Sequence, residues 1–220
     1  MQKDQTDLAR KKGWGKRGFS LTELAIVLGV MGLILGALWA AASSVYSNNR
    51  ASKAESEVLT VAQAIRAMYA TYSSVDVNAD MPAGFGASTV GHANATYLAA
   101  GVFPSDMLNA APAAATAAQD PWAGGVAVVS TEVAVANDSF AVEFDKVSQD
   151  SCIKILMSIA GAGYNSSVYG VSTGAAGTLP IAGGGTNTAG TTALPISIIT
   201  AQGLCTNIPS AIAFQFKLKG

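Results

Sequence analysis

Histidine is all but absent here: His92 is the only one among 220 residues. In Gly91-His92-Ala93-Asn94 it reads as a surface loop residue rather than a base or ligand. The two cysteines, Cys152 and Cys205, lie far apart without histidine neighbours and make a poor zinc site. Charge is also scarce, at 12% against the usual ~25%. With a net charge of −1 there is no electrostatic footprint for nucleic acid. Gly183-Gly184-Gly185-Thr186 lacks the Gly-Lys-Ser/Thr of a phosphate loop. One hydrolase-like pattern occurs, Gly170-Val171-Ser172-Thr173-Gly174. It needs a strand before the serine, a helix after it and a later histidine. Here a Gly-rich stretch leads to Pro180, and His92 comes earlier, so the match is a coincidence of composition. No catalytic residue, metal ligand or cofactor is expected, and the chain does not read as an enzyme.

What the sequence does hold is asymmetric. Lys3, Arg10, Lys11, Lys12, Lys16 and Arg17 precede Phe19 against only Asp4 and Asp7, whereas acids outnumber bases afterwards. From Leu24 to Ala42 no side chain is charged or strongly polar, and there is no proline. That run is about 19 residues, or roughly 28 Å as a helix, close to the hydrocarbon thickness of a bilayer. A basic head before an apolar run is the layout of an export or membrane-insertion segment with its basic end in the cytoplasm. The run is too long for the core of an ordinary secretory signal. No small-residue cleavage site follows it at once, so it is expected to stay with the mature protein. Both cysteines then fall on the exported side. An even count in an oxidising compartment favours one Cys152–Cys205 disulfide, with two buried free thiols as the alternative.

Glu23 interrupts the start of the run in Phe19-Ser20-Leu21-Thr22-Glu23-Leu24. An unpaired carboxylate at membrane depth costs up to about 3 kcal/mol, less near the interface. If the chain is cut after Gly18, the new α-amine of Phe19 lies one helical turn from Glu23 and could pair with it, within a chain or between neighbours. The other reading is a capping box, Ser20-x-x-Glu23. Both place a helix start here.

Lys16-Arg17-Gly18, then Phe19-Ser20-Leu21-Thr22-Glu23 and the unbroken apolar helix, resembles the class III signal of type IV pilins and pseudopilins. The resemblance implies cleavage at Gly18/Phe19 by a prepilin peptidase, N-methylation of Phe19, and an assembly role for Glu23. Inside a bundle of packed apolar helices an unpaired Glu23 would be costly. A neighbour's Phe19 amine could neutralise it at only one axial stagger, so the pair would set register. Gly29, Gly32 and Gly36 permit close backbone approach and weaken the helix, though glycine is common in membrane helices anyway.

Beyond Ala42 the pattern turns amphipathic, with Val58, Val61, Ala62, Ile65, Met68, Tyr69 and Tyr72 spaced by threes and fours. One long helix is expected from about Leu21 to about Ser73. The expected organisation is a removed leader over 1–18, a long helical segment over 19–73 whose 19–42 portion forms a membrane or filament core, and a globular head over 74–220. In the head, Asp80-Met81-Pro82-Ala83-Gly84 is a turn signal. Short helices are expected over 96–100 and 106–110, and a second helix over Cys152–Ile159 ending at Gly161. Strands are expected over Gly125–Ser130, over Phe140–Phe144 and over Ile212–Leu218, where alternation implies an antiparallel sheet with one buried face that the long helix covers. The Gly/Ser/Thr-rich stretch 161–188 is expected to give loops or edge strands.

Gly101-Val102-Phe103-Pro104-Ser105-Asp106-Met107-Leu108 and Asp120-Pro121-Trp122-Ala123-Gly124-Gly125 are similar to the head of the type IVb subclass, especially PilS-like pilins. The resemblance implies the α+β type IV pilin fold: a long N-terminal helix on an antiparallel sheet, with a disulfide-bounded C-terminal region that contributes to subunit contacts. It further implies the major subunit of a pilus serving adhesion, aggregation or conjugative contact. The partners would be copies of itself, the prepilin peptidase and the inner-membrane assembly machinery. The head would be periplasmic before assembly and extracellular after it. Alternatives are a minor pilin or secretion pseudopilin and, from another class, a membrane-anchored periplasmic enzyme or binding protein.

Overall fold

A computed structural model of the chain describes residues 20–75, 97–98, 100–109, 118–163, 167–176 and 194–219. The chain divides into two compact units, residues 1–44 and 45–220. The leader 1–18, Phe19, the turn at Asp80–Gly84, His92 and the Gly183–Thr186 run lie outside the described residues.

In the first unit the described residues are the opening of helix α1 (Leu21–Met68). The Ser20 carbonyl accepts the first helical bond from the Leu24 N–H at 3.1 Å. With no proline to remove a donor, the helix passes through Gly29, Gly32 and Gly36 without a break.

In the second unit α1 becomes one-sided. Ala51, Ala54, Val58, Val61, Ala62 and Ile65 are buried, at the spacing that puts them on a single stripe. The α-helix stops at Met68 rather than near Ser73. The Ala70 N–H already reaches the Ala67 carbonyl in a tighter i→i−3 bond, and the Tyr72 N–H does the same to Tyr69. The run Thr71–Val75 is poor in helix formers. Arg66, in the last turn, ties this end to the sheet. Its Nε and Nη2 donate to the Lys217 carbonyl at 2.9 and 2.8 Å, and Nη2 also donates to the Ser167 carbonyl at 3.1 Å.

Among the described residues the sheet has four antiparallel strands, β1 (Val126–Thr131), β2 (Ser139–Val147), β3 (Val168–Ala175) and β4 (Ser210–Lys217), in the order β1-β2-β4-β3. All three strands read from the sequence are present within two or three residues. β3 forms in the Gly/Ser-rich stretch as an edge strand, one of the two outcomes expected there. The register sets Val142 opposite Phe214 and Phe140 opposite Phe216, whose rings stack at 5.6 Å. These side chains share one core with the buried stripe of α1.

The expectation of a single buried face is corrected. β2 is buried almost throughout and β4 throughout except Lys217. The second face carries small and polar residues, Ala141, Glu143, Ala213 and Gln215, all fully buried. Alternation of large with small or polar side chains mimics a core-and-water pattern but here separates two buried faces. The Gln215 amide on that second face is satisfied internally. Gln215 Nε2 donates to Thr131 Oγ1 at 2.9 Å, Ser139 Oγ at 3.0 Å and the Glu132 carbonyl at 3.1 Å.

Helix α2 (Gln149–Ala160) is the predicted second helix, extended at its start by Gln149–Ser151. It ends as expected at Gly161, whose N–H caps the Met157 carbonyl at 3.1 Å. A third helix, α3 (Ile198–Leu204), was not foreseen; the Ser197 hydroxyl caps it by accepting from the Thr200 N–H. The helix expected over 106–110 is instead a single 3-10 turn, Ser105–Met107, because Leu108 is already extended and bridges to Ala118. Of the segment 96–100, Tyr97 and Leu98 are helical.

Candidate functional site

The first candidate surface is the opening of α1. Every residue over 20–44 is exposed, and the large side chains lie on all sides of the helix: Leu33 is 78% and Trp39 81% accessible. The helix is long and apolar enough to cross a membrane, and none of its most apolar window is buried within the chain. A helix apolar all round is stable only when something else surrounds it, lipid or other apolar helices. The glycines leave open space: a β-carbon at Gly29, Gly32 or Gly36 would meet nothing within 4 Å. Among the described residues nothing uses the room they leave.

Glu23 stands exposed in the first turn of that helix. Ser20 Oγ lies 2.6 Å from Thr22 Oγ1, so the serine hydroxyl is engaged away from the capping box that Ser20-x-x-Glu23 allows. Among the described residues no hydrogen bond or ion pair takes up the Glu23 carboxylate. Gly18 and Phe19 lie outside the described residues.

The second candidate surface surrounds the disulfide. Cys152 on α2 and Cys205 at the end of α3 are joined, with Cα atoms 6.0 Å apart and both residues fully buried. The free-thiol alternative is thereby set aside. The bridge is reinforced by the Ile196 N–H donating to the Ala160 carbonyl at 2.9 Å and by Thr173 Oγ1 donating to the Leu204 carbonyl at 2.7 Å. So α3 is fastened to both α2 and β3. It nevertheless presents Ile198 and Ile199 to solvent, Ile199 at 76%, and Ile208 beyond it is exposed as well. The sequence signal for this element was Ser197-x-x-Thr200 before Ala201-Gln202, too short to separate from loop.

The Gly-x-Ser-x-Gly match lies wholly within β3, so Ser172 is mid-strand and has no sharp turn into a helix. Among the described residues no group of three or more His, Cys, Asp or Glu side chains is placed to hold a metal.

A set of carboxylates on the head was missed by sequence reasoning. Lys53 Nζ lies 2.9 Å from Asp106 and 3.5 Å from Glu57. Glu57 faces inward from the buried stripe of α1, at 4% exposure. Burial pushes its carboxyl up to about 7, with Lys53 opposing and Asp106 adding to the rise. Asp120 organises the turn before β1: its Oδ1 accepts from the Trp122 N–H at 2.8 Å and the Gly124 N–H at 2.7 Å. Ala123 takes a positive φ of 56°, and a β-carbon on Gly124 would strike the Asp145 carbonyl and sit 2.8 Å from Asp120 Oδ2. Only glycine fits there. Burial also raises the Asp120 carboxyl to about 7, against the two backbone donors, with smaller upward contributions from Asp145 and Glu57.

No curated protein matches it. Among solved structures it is similar to a type IV b pilin from Salmonella typhi, at 18% identity and a TM-score of 0.45, covering 76% of this chain and 99% of that one. It is also similar to TcpA, a type IV pilin from Vibrio cholerae El Tor biotype, at 18% identity and a TM-score of 0.44, covering 76% and 98%. At those values neither likeness carries a functional conclusion. A family model described as "PilS N terminal" matches residues 48–207, from the buried half of α1 through β1, β2 and β3 to beyond Cys205. The chain therefore belongs to the PilS family.

Proposed function

We propose that this chain is the precursor of the major subunit of a type IVb pilus, cut between Gly18 and Phe19 by a prepilin peptidase and polymerised through α1. One observation supports this reading above the others. The first half of α1 is apolar on every side and exposed, while the second half of the same helix buries one stripe in a folded head. Such a helix requires lipid first and like helices afterwards. The exchange costs little hydrophobic free energy, because both surroundings are apolar.

In this reading the basic residues before Gly18 hold the leader in the cytoplasm and the head waits in the periplasm until assembly machinery extracts it. Cleavage frees the amine of Phe19, which is methylated. Glu23 of one subunit pairs with that amine of a neighbour, neutralising a carboxylate that would otherwise be buried alone among apolar helices. Only one axial stagger satisfies the pair, so it selects register. Residues carried outward on the filament, including the disulfide-bounded surface, would serve adhesion, aggregation or contact between mating cells.

The test is Glu23→Ala in cells that assemble the filament. The variant is expected to be cleaved and retained in the membrane fraction, with filaments absent from sheared supernatants. Normal piliation by Glu23→Ala would refute the register role. A sheared fraction in which this chain is a trace component would move the assignment to a minor pilin or pseudopilin.

A further inference from the structure

We propose that a groove between α1 and α2 holds the zwitterionic headgroup of an aminophospholipid, with the phosphate on Lys154 and the ammonium on Glu55. The proposal rests on insertion of the apolar run in a bilayer, as in the proposed function, and not on polymerisation.

The groove lies wholly within the second unit. α1 contributes Asn48, Ser52 and Glu55, whose spacings of four and three put them on one stripe, and α2 contributes Lys154 and Ser158, one helical turn apart. Buried Ala51 and Ile155 also line it and give it an apolar floor. Its volume is about 250 Å³. That is less than the roughly 300–1,000 Å³ of sites for drug-sized ligands and suits a small polar group.

The two charges in the groove are opposite and not joined to each other. The Lys154 ammonium donates to Asn48 Oδ1 and makes no ion pair among the described residues. Glu55 is half-buried, and no described donor takes up its carboxylate. The nearby Lys53 is already committed to Asp106 and Glu57. A ligand that carries both charges complements this arrangement. An anionic headgroup would set its phosphate against Glu55, and a purely cationic one would meet Lys154. Ser52 and Ser158 add hydroxyls that can donate to phosphate oxygens.

Position along the chain selects a lipid as the source. A hydrocarbon core of about 30 Å takes about 20 helical residues, which counted from Leu24 end near Ser43. Asn48 follows in the same unbroken helix after roughly 7 Å, and headgroups extend about 5–7 Å beyond the hydrocarbon. Asn48 and its partner Lys154 therefore mark the end of the groove nearer the bilayer, and Glu55 the farther end. Helical side chains lean toward the N-terminus, so Glu55 reaches back toward Asn48. The order matches an aminophospholipid, whose ammonium is carried outward past its phosphate. A second observation marks the same level of the helix as interfacial. Tyr46 is 60% exposed, and the Arg50 guanidinium lies 4.2 Å from its ring centre and donates to its hydroxyl at 2.7 Å. An exposed tyrosine with a basic partner just past an apolar span is a membrane-interface anchor.

The experiment places the full chain in detergent micelles doped with equal amounts of phosphatidylethanolamine, phosphatidylcholine and phosphatidylglycerol. Bound lipid is read by native mass spectrometry, and insertion by flotation with vesicles of the same three lipids. The wild-type chain is expected to float and to retain phosphatidylethanolamine over phosphatidylcholine by about fivefold, the worth of one exposed charge contact. The choline ammonium has no N–H to give Glu55. Lys154→Gln should lose retention of phosphatidylethanolamine, and Glu55→Gln should shift retention toward phosphatidylglycerol. Lys219→Gln, exposed and not lining the groove, should change neither. A chain that floats but retains the three lipids equally, or keeps its preference in both groove variants, would overturn the inference and leave the proposed pilin standing. A chain that floats with no vesicle would overturn membrane insertion and the inference with it. Displacement of the lipid by soluble phosphoethanolamine at equal concentration, or cross-links placing a second copy of the chain against Lys154 in these micelles, would overturn a lipid as the occupant.

Discussion

Replacing both Cys152 and Cys205 with alanine is expected to cost the head about 4 kcal/mol, and the structure gives the reason. The bridge spans 53 residues of sequence, and a loop of that size removes about 4 kcal/mol of unfolded-state entropy at 25 °C in the chain-entropy model. Two interactions near the bridge survive the change, the Ile196–Ala160 backbone bond and the Thr173–Leu204 bond. Each contributes a net ~1 kcal/mol and loses most of its value once α3 is free to move. Helix α3 has only 7 residues, too few to persist alone in water. The assay is urea unfolding of the full chain in micelles, followed by circular dichroism. With a slope of about 2 kcal/mol/M, the midpoint should fall by about 2 M. Reducing the wild-type chain should give the same shift. A midpoint lowered by less than about 0.5 M in both experiments would refute the claim that the bridge, rather than packing, fastens α3.

Three further outcomes are expected. Phe214→Ala empties the centre of β4 opposite Val142 and should cost about 3–5 kcal/mol by the same unfolding assay. Gly124→Ala forces a β-carbon against the Asp145 carbonyl, so it should unfold the Asp120 turn, seen as lost protection of the Trp122 and Gly124 amides, while Gly203→Ala, with open space around it among the described residues, should be nearly silent. Asp138 accepts from the Val133, Ala134 and Val135 N–H groups, which together outweigh its partial burial and hold its carboxyl below the ordinary value. Its contribution is therefore present at neutral pH and lost on acidification through its folded value. Asp138→Ala should cost about 1 kcal/mol at pH 7 and correspondingly less in strong acid, measured by thermal melts.

How far the fold was legible depends on which residues carried the signal. Leu24–Ala42 could mean only a membrane-length helix, since no polar residue offers another partner for that surface. Ile212, Phe214 and Phe216 announced β4 through period two, and Gly161 announced the end of α2. The Asp120-Pro121 turn was legible because an Asx side chain before Pro and Gly has few alternatives. The second buried face was not legible, because Ala141, Ala213 and Gln215 look like solvent-facing partners of the large residues between them. Nor was α3, because its Ile198 and Ile199 are exposed and follow no amphipathic period. The carboxylate set was invisible for another reason. Glu57 sits four residues after Lys53, the pattern of an ordinary surface ion pair, and only the fold brings Asp106 in to compete for the lysine. At the N-terminus, by contrast, Gly18, Phe19 and Glu23 were singled out from sequence, and their roles stand as proposals.

The mass of the N-terminal peptide recovered from cells with active peptidase and assembly machinery tests the central claim most directly. The account predicts a chain that begins at Phe19, carries one added methyl group and sediments with sheared filaments. A chain that still begins at Met1, found as discrete monomers under the same conditions, would contradict it.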